Sequence, residues 1–91
     1  MNNEYILQNL EKIADSLNVK IQYDEFKKDD YKIKSSLCRV RNNMVIFVDK
    51  SLRLKDKIDI ILNELTKFDL DHIYIPPKIR ELINNYKGEG D

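Results

Sequence analysis

Histidine and cysteine, which catalytic and metal sites often use, each occur once in this sequence. His72 is the single histidine and follows Asp69 and Asp71, so metal binding or acid–base chemistry is conceivable there. A lone histidine in a polar connection is far more often simply hydrated. Cys38 is the single cysteine and has no histidine close in sequence. On a buried strand face, where we expect it, its thiol behaves as a small apolar group. Neither residue predicts a catalytic site.

Basic side chains cluster locally in one part of the chain. Arg39 and Arg41 follow Lys32 and Lys34, and Tyr31 beside them is an aromatic ring on which a nucleic-acid base could stack. The simplest interpretation is a hydrated strand face. The two functional alternatives are contact with a nucleic acid and contact with a protein partner.

Composition limits these alternatives. The chain has 91 residues, of which 42% are hydrophobic and 35% charged, as expected for one globular domain. Its 16 basic and 16 acidic residues leave no net charge to attract a phosphate backbone. A single cysteine forms no internal disulfide, and no zinc-finger spacing occurs. We therefore expect a cytoplasmic protein with no metal, no cofactor and no membrane segment.

Three segments carry apolar residues at the spacing of an amphipathic helix. They are Ile6 to Leu17, Leu54 to Phe68 and Ile79 to Tyr86. Asn2 or Asn3 is placed to cap the first helix and Asn18 to end it, while Pro77 suits the first turn of the last helix. We expect one domain over residues 1–87 and a frayed tail over 88–91.

The region between the first two helices predicts strands and a charged loop. Val19 to Asp24 alternates apolar with polar residues, as in a strand buried on one side. The segment from Glu25 to Ser35 is highly charged and predicts a hydrated, mobile loop, with Phe26, Tyr31 and Ile33 as anchors.

A β-hairpin is predicted around Asn42 and Asn43, because asparagine tolerates the positive φ that a two-residue turn needs. This turn sets Arg41 opposite Met44 and Cys38 opposite Phe47. One face then carries Cys38, Val40, Val45 and Phe47, and we expect it to lie against the helices. The other face mixes Leu37, Met44, Ile46 and Val48 with Arg39 and Arg41.

The elements together predict an α+β domain of order α-β-β-β-α-α. We expect a three-stranded, largely antiparallel sheet with the helices mainly on one face. The remaining hairpin face would be an apolar patch rimmed by arginines, which is typical of a partner-binding surface. The predicted partner-binding residues are Leu37, Arg39, Arg41, Met44 and Ile46.

One stretch resembles a known enzyme family. The run VIFVDKSLRLKDKIDIILNELTKFDL, read from Val45, is similar to the core of the ImmA/IrrE-type metallopeptidases, in which a strand leads to a helix bearing His-Glu-x-x-His. VKIQYDEF upstream resembles that family's first strand. Counted from Leu52, Asn63 falls at the first histidine, Glu64 at the glutamate and Lys67 at the second histidine.

The resemblance implies a zinc site in which both histidines are replaced. In the family, two imidazoles one helical turn apart hold Zn²⁺, and the glutamate takes a proton from the metal-bound water. Asn63 is a poor zinc ligand, and Lys67 brings a cation to the place of the metal. We therefore expect no catalytic residue here, and interpret Glu64 and Lys67 as an exposed pair that supports the helix.

Two functional classes remain. The first is a non-catalytic protein-interaction or regulatory module, an inactive relative of a metallopeptidase, that binds a protein or a second copy of itself. The second is a small nucleic-acid-associated protein that uses Lys32, Lys34, Arg39 and Arg41. Binding to nucleic acid would weaken steeply with salt, whereas an apolar interface would not.

Overall fold

The computed structural model describes residues 1–25 and 37–89 of the chain. In chain order the elements are α1 (Asn3–Ser16), β1 (Val19–Asp24), β2 (Leu37–Val40), β3 (Asn43–Asp49), α2 (Leu54–Leu65) and α3 (Pro77–Glu89). The predicted α+β class and the order α-β-β-β-α-α are confirmed. The predicted charged loop lies outside the described residues, except for Glu25. Helix α3 continues to Glu89, inside the segment predicted to be a tail.

Helix α1 begins and ends at the asparagines that its sequence offers. The Asn2 side chain accepts a hydrogen bond of 2.8 Å from the backbone N–H of Tyr5, which satisfies one of the unpaired donors of the first turn. Asn18 follows the helix with φ 59°, a left-handed conformation that asparagine adopts more readily than most residues. The predicted inward stripe is confirmed, since Ile6, Leu10 and Ile13 are all buried.

The three strands form a mixed sheet of order β1-β3-β2. β2 and β3 are antiparallel, as the predicted hairpin requires, but β1 pairs with β3 in parallel. The prediction of a largely antiparallel sheet is therefore wrong for one of its two strand pairs. The connection between Asp24 and Leu37 is long enough for β1 and β2 to occupy opposite edges of β3, so strands adjacent in sequence need not pair.

The hairpin is present, but its turn lies one residue earlier than predicted. Val40 pairs with Asn43, so that Arg41 and Asn42 form the turn, and Arg41 has φ 58°. Asparagine's preference for positive φ thus did not fix the turn position. Cys38 lies opposite Val45 rather than Phe47. Because the partner moves by two positions, the strand residues stay on the faces predicted for them. Arg41 is the exception, since it lies in the turn.

The assignment of the two hairpin faces is reversed relative to the prediction. Ile46 and Val48 are 0% exposed and belong to the hydrophobic core, whereas Val40 is 45% exposed. The face with Ile46 is therefore the inner face, toward the helices. β3 is the central strand and is apolar on both faces, so alternation shows which residues share a face and not which face is inward.

The core lies between the inner face of the sheet and the three helices. Its fully buried large side chains are Leu10, Ile46, Val48, Ile61, Leu65, Ile79 and Ile83. The inward residues predicted for α2 and α3 are confirmed. Arg80 on α3 donates hydrogen bonds to the carbonyls of Leu70 at 3.2 Å and Ile73 at 3.1 Å, and so holds the α2–α3 connection. None of the helices formed by the described residues has the length and apolar character needed to cross a membrane.

Candidate functional site

Glu64 is the buried charged residue of the described chain, with 3% of its surface exposed. The Lys67 ammonium lies 3.2 Å from Oε1 and 3.1 Å from Oε2 of its carboxylate. Asn63 Nδ2 also donates to Oε1, at 3.4 Å. The prediction that Glu64 and Lys67 form an exposed pair is wrong for Glu64. At the carboxyl end of α2, one turn beyond Ile61, Glu64 faces the edge of the core, and only Lys67 reaches solvent.

These contacts determine what the carboxylate can do. An ammonium that contacts both oxygens brings a positive charge to the side from which a metal cation would approach. The Asn63 amide is a weak ligand for zinc, which prefers imidazole and thiolate. Among residues 1–25 and 37–89, no group of three histidine, cysteine, aspartate or glutamate side chains is placed to hold a metal ion. The residues at this turn therefore do not fit a zinc site.

A second polar cluster joins α1, β1 and α2. The Tyr23 hydroxyl donates a 2.5 Å hydrogen bond to Glu11 Oε2, and Lys57 Nζ lies 5.9 Å from the centre of the Tyr23 ring. Burial raises the pKa of the Tyr23 phenol, and the hydrogen bond and negative charge of Glu11 raise it further. The phenol stays protonated and acts as a hydrogen-bond donor, so this cluster fastens three elements together. This cluster was not predicted, although Tyr23 follows Val19 and Ile21 on the alternating apolar side of β1.

His72 lies at the surface. Its Nε2 is 3.5 Å from Oδ2 of Asp69, and both side chains are largely exposed. This geometry agrees with the hydrated histidine expected from the sequence. Cys38 is half-buried rather than buried, because it lies on the face of the sheet away from the helices.

The predicted partner-binding residues do not form one surface. Ile46 is fully buried, and Leu37 and Met44 pack against the core, so only Arg39 and Arg41 are exposed. The reason is the reversed hairpin, which turns the apolar members of this set toward the helices. Lys32, Lys34 and Tyr31 lie outside the described residues, so the predicted basic cluster is described only at Arg39 and Arg41.

The opposite side of the sheet presents a different surface, which we call the outer face. Its members alternate with the inner residues of each strand and are Lys20, Gln22, Asp24, Cys38, Val40, Asn43, Val45, Phe47 and Asp49. None of these apolar side chains belongs to the hydrophobic core cluster. Val45 is buried and pairs in register with Lys20 and Cys38, Phe47 is half-buried and Val40 is exposed.

A depression of about 530 Å³ lies at the end of the sheet nearest the hairpin turn. Val40, Val45, Lys20 and Arg41 line it from the sheet, and Asp15 lines it from the end of α1. The lining therefore combines apolar side chains with two cations and one carboxylate. A smaller groove of about 330 Å³ lies between the helices, where Ile6, Leu62 and Tyr86 line it.

Comparisons with known proteins assign no family. The sequence matches no protein-family model, and searches of the curated proteins and of the solved structures find no match.

Proposed function

We propose that the chain is a non-catalytic protein-interaction module that acts in the cytoplasm and binds its partner through the outer face of the sheet. The observation that carries this proposal is the exposure of Val40, at 45%, on a sheet face whose apolar side chains lie outside the hydrophobic cluster that the sheet forms with the helices. Apolar side chains rimmed by charge are typical of surfaces that a protein partner covers. The sequence predicted such a surface on this hairpin, and the proposal transfers it to the other face.

The contacts of Glu64 support a non-catalytic role. Its carboxylate is held by Lys67 and Asn63, at the positions where the resemblance to the metallopeptidases would require two histidines. We propose that the chain is an inactive relative of that family. Metal analysis of the purified protein tests this part: stoichiometric zinc that is lost in Glu64→Gln would overturn it.

Site-specific photo-crosslinking tests the proposed surface. A benzophenone amino acid replaces Val40 in one variant and Tyr74 in the matched control, which is also an exposed large hydrophobic residue, at 83%, but does not belong to the sheet. Each variant is expressed and irradiated in the cells that naturally produce the protein. We expect a discrete protein adduct from position 40 and none from position 74.

Each outcome of the crosslinking experiment leads to a different conclusion. A protein adduct from position 40 alone supports the outer face, whatever the identity of the partner. Equal labelling from both positions, or no adduct from position 40, contradicts the proposal. An adduct to nucleic acid rather than protein would replace it with the alternative function considered from the sequence.

A further inference from the structure

We infer that the chain pairs with a second copy of itself through the free edge of β1, so that two three-stranded sheets join into one. This inference goes beyond the proposed function, because it concerns the edge of the sheet at β1 rather than the outer face. It is carried by the direction of the backbone groups of β1 and by the order of the side chains along that strand.

Strand β1 lies at an edge of the sheet, since β3 pairs with it on one side and β2 lies beyond β3. The Asp24 carbonyl accepts a hydrogen bond of 2.9 Å from the N–H of Lys50, so the Asp24 carbonyl points toward β3. Because this direction alternates along a strand of a parallel pair, the backbone groups of Gln22 also face β3, and those of Ile21 and Tyr23 face away. In the described part of the chain, nothing bonds to these outward groups of Ile21 and Tyr23.

Helix α1 leaves space beside this edge. A groove of about 220 Å³ is lined by Glu11 and Asp15 from α1 and by Val19, Lys20 and Ile21 from β1. Outward N–H and C=O groups on an accessible edge are the template to which a further strand adds. The edge of β1 can therefore accept a strand, and its side chains determine which strand fits.

The side chains of β1 on the outer face are complementary to themselves. In chain order they are Lys20, Gln22 and Asp24. A second copy related by a two-fold axis perpendicular to the sheet runs antiparallel, and an axis through Gln22 sets Lys20 of each copy opposite Asp24 of the other. Both charged side chains are exposed, and neither belongs to an ion pair among residues 1–25 and 37–89. Opposite charges that face each other across two strands stabilise the pairing.

The same register fits the backbone and the inner face. It places Ile21 of each copy opposite Tyr23 of the other, and these are the residues with outward groups, so each such pair exchanges two hydrogen bonds. Lys20 and Asp24 then lie opposite each other at a position without hydrogen bonds, where facing side chains are closest. On the inner face, Ile21 and Tyr23 are half-buried, and an aromatic ring beside a β-branched side chain is a favourable pair across strands.

Other registers lose the charge pairing. A shift of two residues keeps each side chain on its face but sets Gln22 opposite Lys20 or opposite Asp24. The antiparallel register centred on Gln22 is the one that pairs both charges. Lysine on an edge strand can instead prevent pairing, as it does in many monomeric proteins. The two roles of Lys20 predict opposite effects of charge reversal.

Sedimentation equilibrium of charge-reversed variants distinguishes these roles. The variants are Lys20→Asp and Asp24→Lys, with Lys78→Asp as the matched control, because Lys78 is an exposed lysine on α3. From about 20 μM to about 1 mM, a range suited to a weak complex, the wild type and the control should shift from the 10.9 kDa monomer toward the dimer. Each single β1 variant should associate at least about tenfold more weakly, because like charges then meet twice.

The double variant Lys20→Asp/Asp24→Lys provides the decisive arm. It exchanges the two charges, so opposite charges again meet twice between copies, and association should return to the wild-type level. The two positions are about 13 Å apart along one strand, too far to compensate each other within a single chain. A monomeric wild type, a double variant as weak as the single ones, or a control that weakens equally overturns the inference. A monomeric wild type that associates in Lys20→Asp would show that Lys20 prevents pairing.

Amide hydrogen exchange locates the contact. At about 1 mM, the N–H groups of Ile21 and Tyr23 should exchange at least about threefold more slowly than at about 20 μM, because the second copy protects them. The N–H of Gln22, which faces β3, should be protected at both concentrations. Unprotected Ile21 and Tyr23 at the higher concentration overturn the pairing, as does their protection in a chain that sediments as a monomer. Crosslinking from Val40 is a separate result, since Val40 lies on β2 at the opposite edge.

Discussion

The reversed hairpin makes a quantitative prediction about two neighbouring side chains. Ile46 is 0% exposed in the core, and Val40 is 45% exposed on the outer face. Removing a buried isoleucine side chain down to alanine costs about 2–5 kcal/mol, because both the transfer energy and a cavity contribute. Truncating a half-exposed valine at an edge strand costs under about 1 kcal/mol. The difference between Ile46→Ala and Val40→Ala should therefore be at least about 1–2 kcal/mol.

This cost is large relative to the whole fold. At about 0.05–0.15 kcal/mol per residue, a chain of 91 residues has a free energy of unfolding of about 5–14 kcal/mol, so Ile46→Ala removes a substantial share. Urea unfolding followed by circular dichroism measures it as a lower midpoint with an unchanged m-value. A smaller loss of stability in Ile46→Ala than in Val40→Ala would refute the face assignment and restore the one expected from the sequence.

Three further substitutions test separate contacts. Arg41→Gly should raise the free energy of unfolding by about 1 kcal/mol in urea melts, because it relieves the left-handed φ of 58°; a loss of stability would place Arg41 in a regular strand instead. Tyr23→Phe should cost about 1 kcal/mol at neutral pH by removing the hydrogen bond to Glu11. Since the folded state holds the phenolic proton more tightly than the unfolded state, that contribution should persist below about pH 10 and decline above it; a difference between the proteins that does not change with pH would contradict this. Arg80→Ala should cost about 1–2 kcal/mol and speed amide exchange in the α2–α3 connection, whereas unchanged exchange would show that its two carbonyl contacts do not hold that segment.

The sequence correctly predicted the features that are determined by residues close together in the chain. The apolar stripes of the three helices, the Asn2 cap and the start of α3 at Pro77 each depend on a few neighbouring residues, and the structure confirms them. The hairpin also followed from local preference, although the residue that adopts positive φ is Arg41. A two-residue turn can move along the chain by one position without changing which residues share a face.

The incorrect predictions concerned strand pairing, the inward face of the sheet and the burial of Glu64, which all depend on contacts between elements far apart in the sequence. The parallel pairing of β1 with β3 is set by where the chain returns to the sheet. The inward direction of Ile46 is set by which face the helices cover, and β3 has apolar residues on both faces. Glu64 looked exposed because its neighbours Asn63 and Lys67 are polar, yet its position on α2 places it at the edge of the core. The candidate surface moved to the opposite face for the same reason.

Photo-crosslinking from position 40 tests most directly the central claim that the outer face of the sheet binds a protein partner. Val40 is 45% exposed on that face, and Tyr74, the control position, is 83% exposed outside the sheet. We expect a discrete protein adduct from position 40 and none from position 74. Equal labelling from both positions, or no protein adduct from position 40, would contradict the claim.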